Sequence, residues 1–517
     1  MKLSTKATIA CAALAMVLTH GIANGSRQAN ELSSDPTEFV SQMSEILMQG
    51  NDKERSKSAV DQLTAFMQNG NTAIQDIFIE TCQKMQKKKA RPYPDYVNAL
   101  NTFEALSGSD RISGKNMEVW KTVLDKKCRN LSSLRNYLDQ TNSYVKLGAI
   151  SASRSVAWCV LDLDKVEFVE ADGDLNYNVG TTTLRCISQN DSIDILETSG
   201  TYYAKTNKWL GFGGKINWER VGLEPDKVYA TFGIYNISTK GNEVEIDNCN
   251  FTNKNYFDET LTGKVTYKCL NRNTTYGKRY PRFETSDGQR LNIPELFENV
   301  GYNGGFTQTG SSFVGSGNIY VPAEVYIHRG DTVLARFSSA SFLMSQSTIE
   351  SSSTEVNITL GNDGLTHPGL RFRYIDKTRE VELTRGNKGM ERAKYRDSYH
   401  KMNIDANLLK WNIDGSQIYI TQLAGSPMNI AYFESVGYYS EEVFRELWGM
   451  SATHPMKTIA DFVRYNGGGA FPVKDFAQFC GMPHMDAQRM MLTLSYDGFV
   501  DYYYERDVAK ATDRLYD

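Results

Sequence analysis

"TTTLRCISQNDSIDIL" (residues 181–196) alternates apolar and polar residues on both sides of a Gln189-Asn190-Asp191 break. Successive side chains of a β-strand point to opposite faces, so a period of two reads as two half-buried strands joined by a turn. The same pattern returns in "VEFVEADGDLNYNV" (166–179), "KVYATFGIYNIS" (227–238), "NEVEIDNCNF" (242–251), "GKVTYKCL" (263–270) and "REVELTRG" (379–386), with Gly, Asn and Asp between runs. Roughly twenty short strands fit between Ser151 and Ser435, more than one ordinary sandwich holds. They make either two β-rich domains, 149–300 and 301–436, or one continuous stack. "GKINW" (214–218) and "GKVTY" (263–267) share one local pattern, which suits a repeated hairpin in a solenoid-like jelly roll.

Outside this middle the period changes. From Pro36 to about 148, apolar residues recur at three-to-four spacing: Phe39, Met43 and Leu47, then Leu63 and Phe66, then Ile74, Phe78, Cys82 and Met85. Asp35-Pro36 supplies a cap and a proline at the first helical position. Helices near 95–106, 114–127 and 131–146 complete a bundle of five or six. The run Lys87 to Lys89 with Arg91 is a solvated face near a helix end. Residues 437–517 are helical again. "VKDFAQFCGMPHMDAQRMMLTLSYDGFVDYYYERD" (473–507) has the helix, turn, helix and hairpin order of a winged helix. The fold class is therefore multidomain α+β: an N-terminal α-helical bundle, an elongated β-rich middle and a C-terminal winged-helix-like module.

The chain of 517 residues is too long for one core, and its formal charge of -4 gives no electrostatic case for nucleic acid or anionic membrane. The terminal module carries Lys474, Arg489 and Arg506 against Asp475, Asp486, Asp497, Asp501, Glu505 and Asp507, a balance that repels phosphate. Residues 1–23 read as an export signal: Lys2 and Lys6, an apolar run from Ala7 to Leu18 shorter than the ~20 residues of a membrane span, and Gly21-Ile22-Ala23 for cleavage. Residues 24–35 then read as a polar, disordered tether. The mature chain has no transmembrane segment, and the protein is placed in the periplasm or at the outer membrane. Seven widely spaced cysteines remain after cleavage, with no C-x-x-C pair, so they form neither a disulfide scaffold nor a zinc site. Cys249 and Cys269 are able to bridge if their strands are neighbours.

Three constellations carry possible chemistry. Glu170, Asp172, Asp174 and Asn176 alternate along one strand face and offer oxygen ligands to a cation, although the glycine of a calcium loop falls in the wrong place. Asp363, His367, Asp397 and His400 supply carboxylate and imidazole for acid–base work if their strands converge. Trp209, Trp218, Tyr438 and Tyr439 offer rings for stacking on a sugar. Each pattern has a plainer reading: a solvated strand edge, a turn with a packed histidine, and an inter-sheet core. No sequence motif implies a cofactor.

The residues "LTHPGL" (365–370), Tyr374, Leu383-Thr384-Arg385, Tyr399-His400-Lys401-Met402, Trp411-Asn412 and Phe433-Glu434-Ser435 carry a resemblance. They are similar to large uncharacterised exported envelope proteins of anaerobic Gram-negative gut bacteria, whose members are longer than this chain. The spacing Tyr374, Thr378, Val381, Thr384 resembles the β-jelly-roll of lipopolysaccharide-transport proteins. The resemblance implies an envelope protein and no established activity. The sequence thus predicts a non-enzymatic structural or binding protein that meets an envelope protein, lipid or glycan along its β-surface. The alternative is a carbohydrate-binding or carbohydrate-active protein using His367 and His400. A DNA-binding regulator is a third reading, opposed by the signal and by the acidic module. An apolar groove inside the stack would favour lipid; a polar cleft with carboxylates beneath aromatic residues would favour glycans.

Overall fold

The computed structural model describes residues 31–286, 289–317, 321–386, 389–423, 430–448 and 453–516. Residues 1–23, read as an export signal, lie outside them. The chain divides into two compact units, one running to Leu147 with Phe168–Leu175 added, the other comprising Gly148–Glu167 and Asn176 onward.

Among the described residues the first unit holds six α-helices, Pro36–Met48, Lys53–Asn69, Thr72–Lys87, Val97–Ser107, Gly114–Lys127 and Leu131–Leu147. Their starts follow from their caps. Asp35 accepts the N–H groups of Thr37 and Glu38 at 3.0 Å, Asp52 that of Arg55, and Asn71 that of Ala73, satisfying donors a helix leaves without partners. The apolar faces meet in a chain of rings: Phe39, Phe66 and Phe103 each lie within 5.8 Å of Phe78, and Phe103 within 5.8 Å of Trp120. Asp95, buried in the turn before the fourth helix, accepts the Arg91 N–H at 2.9 Å and pairs with Arg135.

Two expectations change here. The stretch 31–35 is not a free tether: Leu32 is buried, donating its N–H to Gln86 at 2.9 Å and accepting from Gln83 at 2.8 Å. Phe168–Leu175, read as part of the β-rich middle, belongs to the helical unit. Phe168 packs its ring 5.2 Å from Tyr144, and Lys126 and Lys127 pair with Glu170 and Asp174.

In the second unit the hydrogen-bonded ladder runs through residue 300 without a break, so the β-rich middle is one stack. Its long strands are shared between two layers. The strand Val300–Thr309 pairs through Val300 to Asn303 with Ala323–Arg329, and through Gly305 to Thr309 with Ser312–Ser316. Thr348–Leu360 does the same, its first half against Ser341–Met344 and its second against Thr332–Ser339. Register shifts on both sides of Thr354 let that strand bend from one layer to the other. At the corresponding bend of Val300–Thr309, the Tyr302 ring lies over Gly304 and Gly315, where a Cβ would approach it to 2.2 and 2.6 Å. Only glycine admits that ring.

The space between the layers is filled by rings. Phe251 stacks on Phe283 at 4.3 Å, Phe306 meets Phe313 at 4.8 Å, and Phe337 meets Phe372 across the layers at 4.5 Å. Such packing leaves no room for an acyl chain along these residues. Inside this stretch the buried Asn253 donates its amide N–H to the Gln308 side-chain oxygen at 3.1 Å.

After the stack come helices Glu441–Trp448, Pro455–Tyr465, Val473–Cys480 and His484–Tyr496, with a three-stranded sheet in the order Ala470–Pro472, Val508–Ala511, Val500–Tyr503. Phe462, Phe471, Phe476, Met491, Leu494 and Tyr502 form their core, and Met390 of the stack joins it. This C-terminal group is part of the second unit rather than a separate one. Arg396 reaches Asp501 at 3.4 Å, Arg506 reaches Glu355 at 3.5 Å, and the Arg392 guanidinium lies 4.9 Å from the centre of the Tyr496 ring.

Candidate functional site

The last strand of each layer has one neighbour among the described residues. In one layer Ile418–Thr421 pairs with Leu408–Asn412; in the other Tyr432–Ser435 pairs with Met402–Asp405. Directly opposed residues of an antiparallel pair share a face. Ile420 opposes the buried Leu409, Ile418 opposes the buried Trp411, and Phe433 opposes the buried Ile404, so all three face the interior. Phe433 is nevertheless 56% exposed, because no further strand covers it. Tyr419, Tyr432, Tyr438 and Tyr439 are exposed around it. Native proteins commonly blunt such edges with charge or proline. In Tyr432–Ser435 the one charge, Glu434, is drawn onto Lys394 at 3.2 Å.

Of the acid–base candidates, two meet. The buried Asp397 holds the exposed His400 by its Nδ1 at 2.6 Å and also accepts the His400 backbone N–H at 3.0 Å. Asp363 is beside them but accepts from Ser398 at 3.0 Å, and Ser398 in turn accepts the Gly364 N–H. The arrangement orients an imidazole, and the neighbouring Ser398 hydroxyl is committed to Asp363 rather than to it.

His367 belongs to the core. Its Nε2 donates to the Ala393 carbonyl at 2.8 Å and its Nδ1 accepts the Gly369 N–H at 3.1 Å. Burial lowers its pKa to about 3, so the ring is neutral and both nitrogens are occupied. It joins neither Asp397 nor His400 through any hydrogen bond among the described residues.

Glu170 and Asp174 are paired to lysines, the Lys126 hydrogen bond holding the Glu170 carboxyl below its ordinary value. Asn176 accepts the Ala204 N–H at 2.9 Å. Among the described residues no group of three or more His, Cys, Asp or Glu is placed to hold a metal. Trp209 and Trp218 are fully buried and donate to Tyr235 and to the Pro281 carbonyl, so neither presents a ring face to a sugar. Tyr438 and Tyr439 are exposed. All seven cysteines after residue 30 are free. Cys269 lies against Cys186, its thiol 3.7 Å from the Cys186 carbonyl, and Cys249 bonds the Ile246 carbonyl instead.

A second feature escaped the sequence altogether. Where the C-terminal helices meet the stack, a cleft of about 160 Å³ is lined by Lys394, Arg396, Asn403, Ser495 and Asp501. It shares Glu355, Pro368 and Tyr503 with a larger cleft of about 380 Å³. Burial raises the carboxyls of Glu355 and Asp501 above their ordinary value, against the pull of Arg506 and Arg396. Residues 355, 403 and 495 are far apart in the chain, and no local pattern marks them.

No protein-family model, no curated protein and no solved structure matches the chain.

Proposed function

We propose that this is a non-catalytic structural protein of the cell envelope whose β-stack joins, end to end, the same end of a second copy. One observation carries the reading: among the described residues neither terminal strand has a partner on its outer edge, and Ile418, Ile420 and Phe433, which face the interior, have no covering strand. A partner that fits must supply strand edges to both layers together with an apolar interior, and an identical stack end supplies both. Two copies related by a two-fold axis would close the surface on itself, which keeps the assembly finite. The envelope location rests on the export signal read in residues 1–23. The filled interior supports a scaffold rather than a lipid conduit. Catalysis at His367 is opposed by its occupied nitrogens.

Sedimentation velocity of the mature chain over a range of concentrations tests the assembly. The expected result is a concentration-dependent dimer that Phe433→Ser and Ile420→Ser each reduce to monomer with unchanged thermal unfolding. A monomer at the highest concentration, or a dimer indifferent to both substitutions, would overturn it.

A further inference from the structure

In the cleft between the stack and the C-terminal helices, two polar atoms are stranded. Asn403 and Ser495 are each 4% exposed, yet Asn403 Nδ2 and Ser495 Oγ have no hydrogen-bond partner among the described residues. Such an atom, left dry, loses the hydrogen bonds it makes to water in the unfolded chain. Folded proteins rarely tolerate that, and an explanation lies in what the site receives. Gly498 stands beside them with φ +78, and a Cβ there would lie 3.8 Å from the Asn403 amide, so the missing side chain keeps the space open. The cleft's volume of about 160 Å³ exceeds the ~15 Å³ one water needs, and it opens into the larger cleft past Tyr503.

The charges select the ligand's class. Arg396 faces Asp501, Arg506 faces Glu355 at 3.5 Å, and Lys394 faces Glu434 at 3.2 Å, so no unbalanced charge recruits an anion or a cation. What is unmatched is an amide N–H and a hydroxyl. A ligand hydroxyl, both donor and acceptor, answers each of them. Met390, Pro368, Tyr503 and Tyr504 line the wider part and give apolar flanks for the C–H face of a pyranose ring. We infer that this groove is a saccharide-binding site for a neutral glycan, with one sugar hydroxyl group seated between Asn403 and Ser495. The Lys394–Glu434 pair borders both this groove and the stack-end strand, but neither Asn403 nor Ser495 belongs to the two outer strand edges, so different variants test the two readings.

Saturation-transfer NMR with maltotriose, cellotriose and chitotriose, each at millimolar concentration on the mature chain and with glycerol as the blank, tests the site. At least one trisaccharide is expected to gain saturation. Its affinity should fall about tenfold in Asn403→Leu and in Ser495→Ala, each removing the hydrogen-bonding atom without adding bulk beyond the original side chain's reach. Lys410→Ala, whose ammonium pairs with Glu380 and Glu382 away from the groove, should leave it unchanged. Thermal unfolding of each variant separates lost binding from lost fold. Saturation no greater than that of glycerol for all three sugars, or equal binding by both groove variants, would overturn the site and leave it holding buried water only.

Discussion

Phe306 and Phe433 occupy the same kind of place in the same alternating pattern. Each points from a strand into the space between two layers. Phe306 has strands on both sides and is 0% exposed, with the Phe313 ring 4.8 Å away. Phe433 lies on the last described strand of its layer and is 56% exposed. The side chain is identical and the environment opposite. What differs is whether another strand follows, and that turns a core residue into a contact surface.

Truncation should separate the two most sharply. Phe306→Ala removes a fully packed ring and is expected to cost ~3–5 kcal/mol, whereas Phe433→Ala should stay within ~1 kcal/mol in the monomer. Chemical denaturation of the two variants measures the gap, and equal losses would mean that Phe433 is covered. The histidines offer a second contrast of smaller size. His367→Ala leaves the buried Gly369 N–H without its acceptor and should cost about 2–3 kcal/mol, while His400→Ala, whose ring is exposed, should change stability by less than ~0.5 kcal/mol. A large loss at His400 instead would assign the Asp397–His400 pair a structural weight its exposure does not suggest.

The smallest effect lies at the joint between stack and C-terminal helices. Burial raises the carboxyls of Glu355, Asp497 and Asp501, with Arg506, Lys394 and Arg396 opposing. A raised folded-state value means the folded protein binds more protons than the unfolded one. Stability from these groups is therefore present near the ordinary carboxylate range and lost as pH rises above it. We expect Tm to be higher by about 1–2 °C near pH 5 than near pH 7, with the difference reduced in Asp501→Asn. A Tm that rises steadily with pH over that interval would show the ion pairs outweighing desolvation.

The helices of the first unit were legible because caps and periodicity are local. Asp35-Pro36 marks a start that the hydrogen bonds of Asp35 explain, and the apolar recurrence from Phe39 to Met85 names the faces that pack. The β-rich class was equally legible from its period of two. The site was not. Aromatic residues at 209, 218, 432 and 433 look alike in sequence, yet Trp209 and Trp218 are fully enclosed and Tyr432 and Phe433 are open. Asp397 and His400 are three positions apart, so a turn of the local chain brings them together. His367 was grouped with them by composition alone, and its strand carries it into the core.

By itself the sequence determined the order of helical and β-rich regions, the inward face of most strands and the acidic character of the C-terminal module. These follow from periodicity and charge, which act over a few residues. Tertiary structure alone decided that the β-rich region is one stack with shared, bent strands, that Phe168–Leu175 belongs with the helices, and that Asn403 and Ser495 meet in one cleft. Those outcomes depend on which strand pairs with which, a choice set by packing between residues distant in the chain, and alternation does not encode it.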